Sequence, residues 1–213
     1  MLRIVTLLLG LAVMGCAPLI QNSQLFEHTA LLPEGTIPLT AQLVPLEDHR
    51  PEKEQKSLAH IQDLAGKVNA VLLKDFQRAQ LFQELSIEGD PRQADLLLRG
   101  AIRSFTVQTV DYYYEYTPLV IFAFLGLPEG YSWGQVALAL EVVDAKNGAV
   151  LGAYEASSRQ QRKVTIYDTG NWEQHYGEEA GESFRQTLEK LKRAILADRD
   201  RLTRLVASPS NAP

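Results

Sequence analysis

The sequence holds a single cysteine, Cys16, among its 213 residues. One thiol permits no intrachain disulfide, no thiol redox pair and no cysteine-based metal cage. Positive charge is also scarce: 21 Lys and Arg stand against 26 Asp and Glu, a formal net charge of −5. That mild acidity argues against nucleic acid as a partner. No apolar run approaches the roughly 20 residues that span a bilayer. Ile4 to Met14 and Leu119 to Leu127 come nearest, and both are too short. The four histidines, His28, His49, His60 and His175, show no HExxH or other paired ligand spacing. There is no GxSxG elbow and no phosphate-cradling glycine loop. The expectation is therefore no catalytic residue, no metal and no cofactor. What the chain does have is 46% hydrophobic residues, enough for one real core.

The amino terminus reads "MLRIVTLLLGLAVMGCAP". Arg3 forms a short positive region, and the apolar run that follows has the shape of a secretory signal peptide. "VMGC", Val13 to Cys16, resembles the bacterial lipobox, although Met14 stands where a small residue is usual. The resemblance implies removal of residues 1–15 and acylation of Cys16. More than one acyl chain on one residue anchors stably where a single chain binds marginally. Losing Arg3 would move the formal charge from −5 to −6. Ala17 follows the cysteine, where Asp is the inner-membrane retention signal of the pattern, so the resemblance implies outer-membrane lipid as the anchor.

Residues 16–35 read as a lipidated tether ending in Pro33-Glu34-Gly35, a turn signal. Thr36 to Leu46 reads as a strand, with Ile37, Leu39 and Leu43 core-facing and with Pro38 and Pro45 marking an edge or strand ends. "EDHRPEKEQK" reads as a charged loop. From Ser57, a plausible N-cap, one helix is expected: Leu58, Ile61, Ala65, Val68, Leu72, Phe76 and Ala79 recur at steps of three and four. "LFQELSIEG" reads as a short strand. In "ADLLLRGAIRSFTVQTV" the residues Leu96, Leu98, Gly100 and Ile102 face one way and Arg99 and Arg103 the other, as on a long strand. "GQVALALEVVDAKNGAVLGAYEASSRQQ" reads as a hairpin turning at Lys146-Asn147-Gly148. A last helix is expected from Glu178 to Leu205, with Phe184, Leu188, Leu191, Ile195, Leu202 and Leu205 on its apolar side. Residues 206–213 read as a disordered tail. The fold class is thus α+β: a mainly antiparallel sheet of about four to five strands, with two long helices on one face, in a single domain over residues 36–205.

On these residues a resemblance appears. Ala94-Asp95, Gly100 and Ile102, followed by a strand ending Asp144, Gly148 and Val150, are similar to a group of periplasmic lipoproteins. The group includes the curli-secretion lipoprotein CsgG, the penicillin-binding-protein activator LpoB and the amino-terminal domain of TolB. The resemblance implies a non-enzymatic role in envelope biogenesis or transport, and it allows an oligomeric secretion component. The chain departs from the group in an apolar insertion over residues 111–133.

That insertion is the main candidate site. Tyr114, Tyr116, Leu119, Ile121, Phe122, Phe124, Leu125, Leu127 and Trp133 form an aromatic-flanked apolar stretch. Exposed, such a stretch marks a partner or membrane contact. Three readings stand: packing within the protein or a homo-oligomer, an envelope protein partner, or dipping into the outer membrane. Trp172, His175 and Tyr176 make a sugar- or peptide-stacking platform or a long turn before the last helix. "RQQRK", Arg159 to Lys163, is a basic cluster for lipid headgroups or a solvated strand end. Asp95 and Asp144 read as a strand-start polar residue and a turn residue rather than as a catalytic pair. A cell-wall glycan hydrolase, the enzymatic rival, needs paired acids flanking a cleft.

Overall fold

The computed structural model describes residues 35–59, 61–87, 93–111, 128, 130–165 and 177–207. The fold is α+β, as the sequence patterns predict. Six strands form one mixed, mostly antiparallel sheet with helices packed against it. The strands are β1 (Ile37–Leu43), β2 (Glu47–Asp48), β3 (Phe82–Ser86), β4 (Leu96–Asp111), β5 (Gly130–Asp144) and β6 (Val150–Val164). The helices are α1 (Glu52–Ser57), α2 (Leu64–Arg78), α3 (Glu178–Ala197) and α4 (Arg199–Ala207). The sheet order is β3-β1-β4-β5-β6, with β2 pairing β4 beyond the end of β1.

The antiparallel half follows the alternation of its sequence. Val136, Leu138, Leu140 and Val142 of β5 are buried at every second position. They meet Phe105, Ile102, Gly100 and Leu98 of β4 in register. The hairpin is looser than an Asn-Gly two-residue turn. The strands end at Asp144 and Val150, and only Gly148 takes a positive φ, +75°. Backbone bonds from Gly148 N–H to Asp144 O and from Asp144 N–H to Ala149 O close the loop, and side chains add to them: Lys146 N–H donates to Asp144 Oδ1, and Ala149 N–H to Asn147 Oδ1, both at 2.8 Å. Asp95 staples the other seam, its Oδ2 accepting from the Thr40 N–H and hydroxyl at 3.0 Å each. Asp95 thus ties β4 to β1, and Asp144 bonds the backbone of its own loop.

The parallel half departs from the expectations. β1 lies between β3 and β4, so it is not an edge strand. Pro38 is tolerated because β1 pairs β4 only over Ala41–Leu43, and the β3 register shifts between Ile37 and Thr40. The charged stretch predicted as loop contains β2 and α1. Ser57 ends α1 rather than capping α2; the N-cap is Asp63, in the left-handed region at φ 50°, accepting from Gly66 N–H at 3.0 Å. Leu58 and Ile61 are buried all the same, in the connection before α2. The periodicity was genuine as a burial signal while the backbone broke. The last helix also divides, at Asp198, and Leu205 is 43% exposed rather than core-facing. α4 runs to Ala207, two residues into the predicted tail.

α3 is the element that closes the core. Ala180, Phe184, Leu188, Leu191 and Ile195 are fully buried against β5 and β6, and Phe184 meets Phe105 edge-on at 5.9 Å. α3 sits directly on the strand at Gly134, where a Cβ would stand 2.2 Å from the Ala180 nitrogen. Ser183 and Thr187 hydroxyls donate to the Gly134 and Val136 carbonyls. Between α2 and α3, Lys192 Nζ lies 2.6 Å from Asp75 Oδ2, both side chains almost wholly withdrawn from solvent. Removing one partner from such a pair strands a buried charge. Lys192→Met is expected to cost about 3–5 kcal/mol in chemical denaturation. The double change Asp75→Leu with Lys192→Met should recover most of that loss.

Tyr154 gives a second test. Its hydroxyl donates to Asp198 Oδ2 at 2.8 Å, where α3 meets α4. Burial, then the Asp198 hydrogen bond and charge, push its pKa up to about 12 from 10.0. Above pH 10 the unfolded tyrosine loses its proton while the folded one keeps it, so this contribution is present below pH 10 and lost as pH rises toward 12. Tyr154→Phe should flatten the stability-against-pH curve across that window, and one tyrosine should ionise late in an alkaline absorbance titration of the parent.

Candidate functional site

β4, β5 and β6 all finish at one end of the sheet, where Asp111 pairs Gly130 and Gly130 pairs Val164. The apolar insertion leaves and returns here. The segment bearing Trp172, His175 and Tyr176 also begins here, after Thr165. Two stretches that the sequence singled out separately thus leave the sheet side by side. The insertion is shorter than residues 111–133, because β4 includes Asp111 and β5 already includes Gly130 to Trp133. Long strands absorb its tyrosine-tryptophan flank.

Trp133 is the one predicted docking residue among those described. It is half-buried in β5, on the face away from α3. The Arg159 guanidinium lies 4.2 Å from its ring centroid. A cation over an indole is attracted by the ring quadrupole. Arg159 pairs Gln135, two register positions from Gln161, which pairs Trp133. Tyr114, Tyr116, Leu119, Ile121, Phe122, Phe124, Leu125 and Leu127 lie outside the described residues, as do Cys16, Trp172, His175 and Tyr176.

The first turn of α3 braces this end. Buried Glu179 accepts from the Ser132 hydroxyl at 3.1 Å, and Glu178 pairs Arg162 at 3.3 Å. The far end of α3 stands at the opposite end of the sheet. There Gly35, at φ +142°, packs beside Leu196 and Arg199. β4 alone advances about 50 Å at ~3.3 Å per residue, so Gly35 and the insertion mark two well-separated poles.

A second concavity, of about 240 Å³, lies where β2 meets β4 and is floored by Gly100, Ala101 and Ala139. Its charges are matched internally. Arg99 Nε bonds Glu141 at 2.8 Å, His49 Nε2 lies 2.7 Å from Glu47, and Arg103 Nη1 lies 3.3 Å from His49 Nδ1. Arg103 can only donate, so Nδ1 accepts and Nε2 carries the proton toward Glu47. Glu47 and Glu141 share the groove, yet both are open to solvent and each faces a cationic or proton-donating partner. Among the described residues, no group of three or more His, Cys, Asp or Glu could hold a metal, and no helix is long and apolar enough to cross a membrane. Near the bulge between Ile102 and Ser104, Glu54 of α1 accepts from the Ser104 hydroxyl and the Phe105 N–H, both at 3.0 Å. The sequence signalled this carboxylate only as part of a charged loop.

No protein-family model and no curated protein matches the sequence. Solved structures match the fold. Protein XCC0632 from Xanthomonas campestris aligns with a TM-score of 0.52 at 9% identity, over 85% of this chain and 97% of that one. A PelC dodecamer variant from Paraburkholderia phytofirmans aligns with a TM-score of 0.46 at 12% identity, over 80% and 94%. Lipoprotein GNA1162 from Neisseria meningitidis aligns with a TM-score of 0.27 at 17% identity, over 62% and 90%. At 9% identity the likeness to XCC0632 is one of fold.

Proposed function

We propose that this chain is a non-enzymatic lipoprotein, acylated at Cys16 and held on the periplasmic side of the outer membrane. It binds an envelope protein partner, or a further copy of itself, through the insertion end of its sheet. The finer kinship, with the group of CsgG, LpoB and the TolB amino-terminal domain, belongs to this reading. The observation that supports it is the separation of the poles. The lipobox-bearing segment reaches the domain at Gly35, beside the end of α3. The apolar insertion departs at the other end of the sheet, beyond Asp111 and Gly130. A domain built this way holds the anchor at one end and offers a sticky aromatic stretch at the other. Membrane attachment and partner docking then use different surfaces.

The test is affinity capture of the tagged lipoprotein from membranes, alongside a variant with Leu119 to Leu127 replaced by a Gly/Ser linker. The variant should stay folded and membrane-attached while losing the captured partner or the self-association. An unchanged partner set sinks the docking reading. If Cys16→Ser leaves the protein acylated and membrane-bound, the lipid-anchor reading is wrong.

A further inference from the structure

β6 runs from Val150 to Val164, and among the described residues no strand other than β5 pairs with it. Its edge-facing main-chain groups belong to alternate residues. The phase is set by the Ser157 carbonyl, which accepts from Lys190 Nζ of α3 at 2.6 Å. Ala153, Glu155, Ser157, Arg159 and Gln161 therefore turn their amides outward. Their side chains are exposed on the face away from α3, since the intervening Tyr154, Ser158 and Gln160 bond to Asp198 and Gln186 on the helix side. A long edge with free main-chain groups is a template for another strand.

We propose that β6 pairs antiparallel with β6 of a second copy, about a two-fold axis passing at Ser157. Charge selects both the partner and the register. With the axis at Ser157, Glu155 of each copy stands directly opposite Arg159 of the other. An axis at Glu155 opposes two carboxylates, and an axis at Arg159 opposes two guanidiniums; like charges directly opposite destabilise a strand pair. Arg159 is already held on this face by its stacking on Trp133. Lys190 does not close the edge, because a carbonyl has a second lone pair for the incoming amide. The contact is isologous, and it joins two sheets into one. It uses β6 alone and does not rest on the docking role of the insertion.

The experiment uses the detergent-solubilised full chain, whose one native cysteine is Cys16. Directly opposed Cα atoms in a hydrogen-bonded pair lie about 5.5 Å apart, within disulfide reach. Ser157→Cys should therefore form a covalent dimer on mild oxidation. Ala153→Cys, whose own copy would lie about 26 Å away by strand rise, should not. In sedimentation equilibrium, Glu155→Arg and Arg159→Glu should each raise the dimer dissociation constant about tenfold, and the double swap should restore it. A strict monomer, equal cross-linking at both cysteine positions, or a double swap no better than either single change would each overturn the proposal.

Discussion

The contact on which the rest depends is the seating of α3 on β5 at Gly134. Only a residue without a Cβ lets the Ala180 backbone come this close. From that contact, Phe184, Leu188, Leu191 and Ile195 run down the sheet as one buried stripe. The seat also sets where α3 begins and ends. Its first turn braces Ser132 near the insertion, and its last turn meets Gly35 and Tyr154 at the other pole. Lys192 then ties α2 to the same strut through Asp75. Such a pair adds little net stability over apolar packing, because desolvation offsets its attraction. Its consequence is specificity: α2 and α3 have one register in which both charges are matched.

The antiparallel half of the fold was legible because a single physical signal dominates it. Alternation along β5 from Gly130 to Val142 sorts side chains between a covered and an open face, and any slip of one residue inverts them. The parallel half was not legible. Pairing β1 with both β3 and β4 is a long-range choice that leaves no local mark, and Pro38 pointed to an edge that β1 does not occupy. Helix continuity misled twice. Leu58 and Ile61 keep the helical spacing because they fill the same core as α2, although Asp63 in a left-handed conformation separates them from it. Asp198 divides the last helix while accepting from Tyr154 and Arg201, a role that no apolar pattern encodes.

For the site, the sequence marked the aromatic stretch but drew it too wide, since Gly130 to Trp133 serve β5. It treated Trp133 and Arg159 as unrelated features 26 positions apart. Their meeting follows from the hairpin register, which the bulge before Val143 shifts from what the turn residues imply. What the fold adds is direction. The helix-covered face is finished, the charged groove by β2 is internally matched, and the strand ends from which the two distinctive segments depart, Asp111, Gly130 and Val164, lie together at the pole remote from Gly35. The likeness to XCC0632 is one of fold, and the direction comes from this chain's own residues.

That direction is the central claim, and membrane depth measures it most directly. A fluorophore placed at Asn147, in the hairpin loop near the Gly35 pole, is compared with one at Val110, near the insertion. Both are carried by the lipidated chain in vesicles containing quencher-bearing lipids. The account predicts stronger quenching at Asn147 than at Val110. Stronger quenching at Val110 would bring the insertion pole to the bilayer and contradict it.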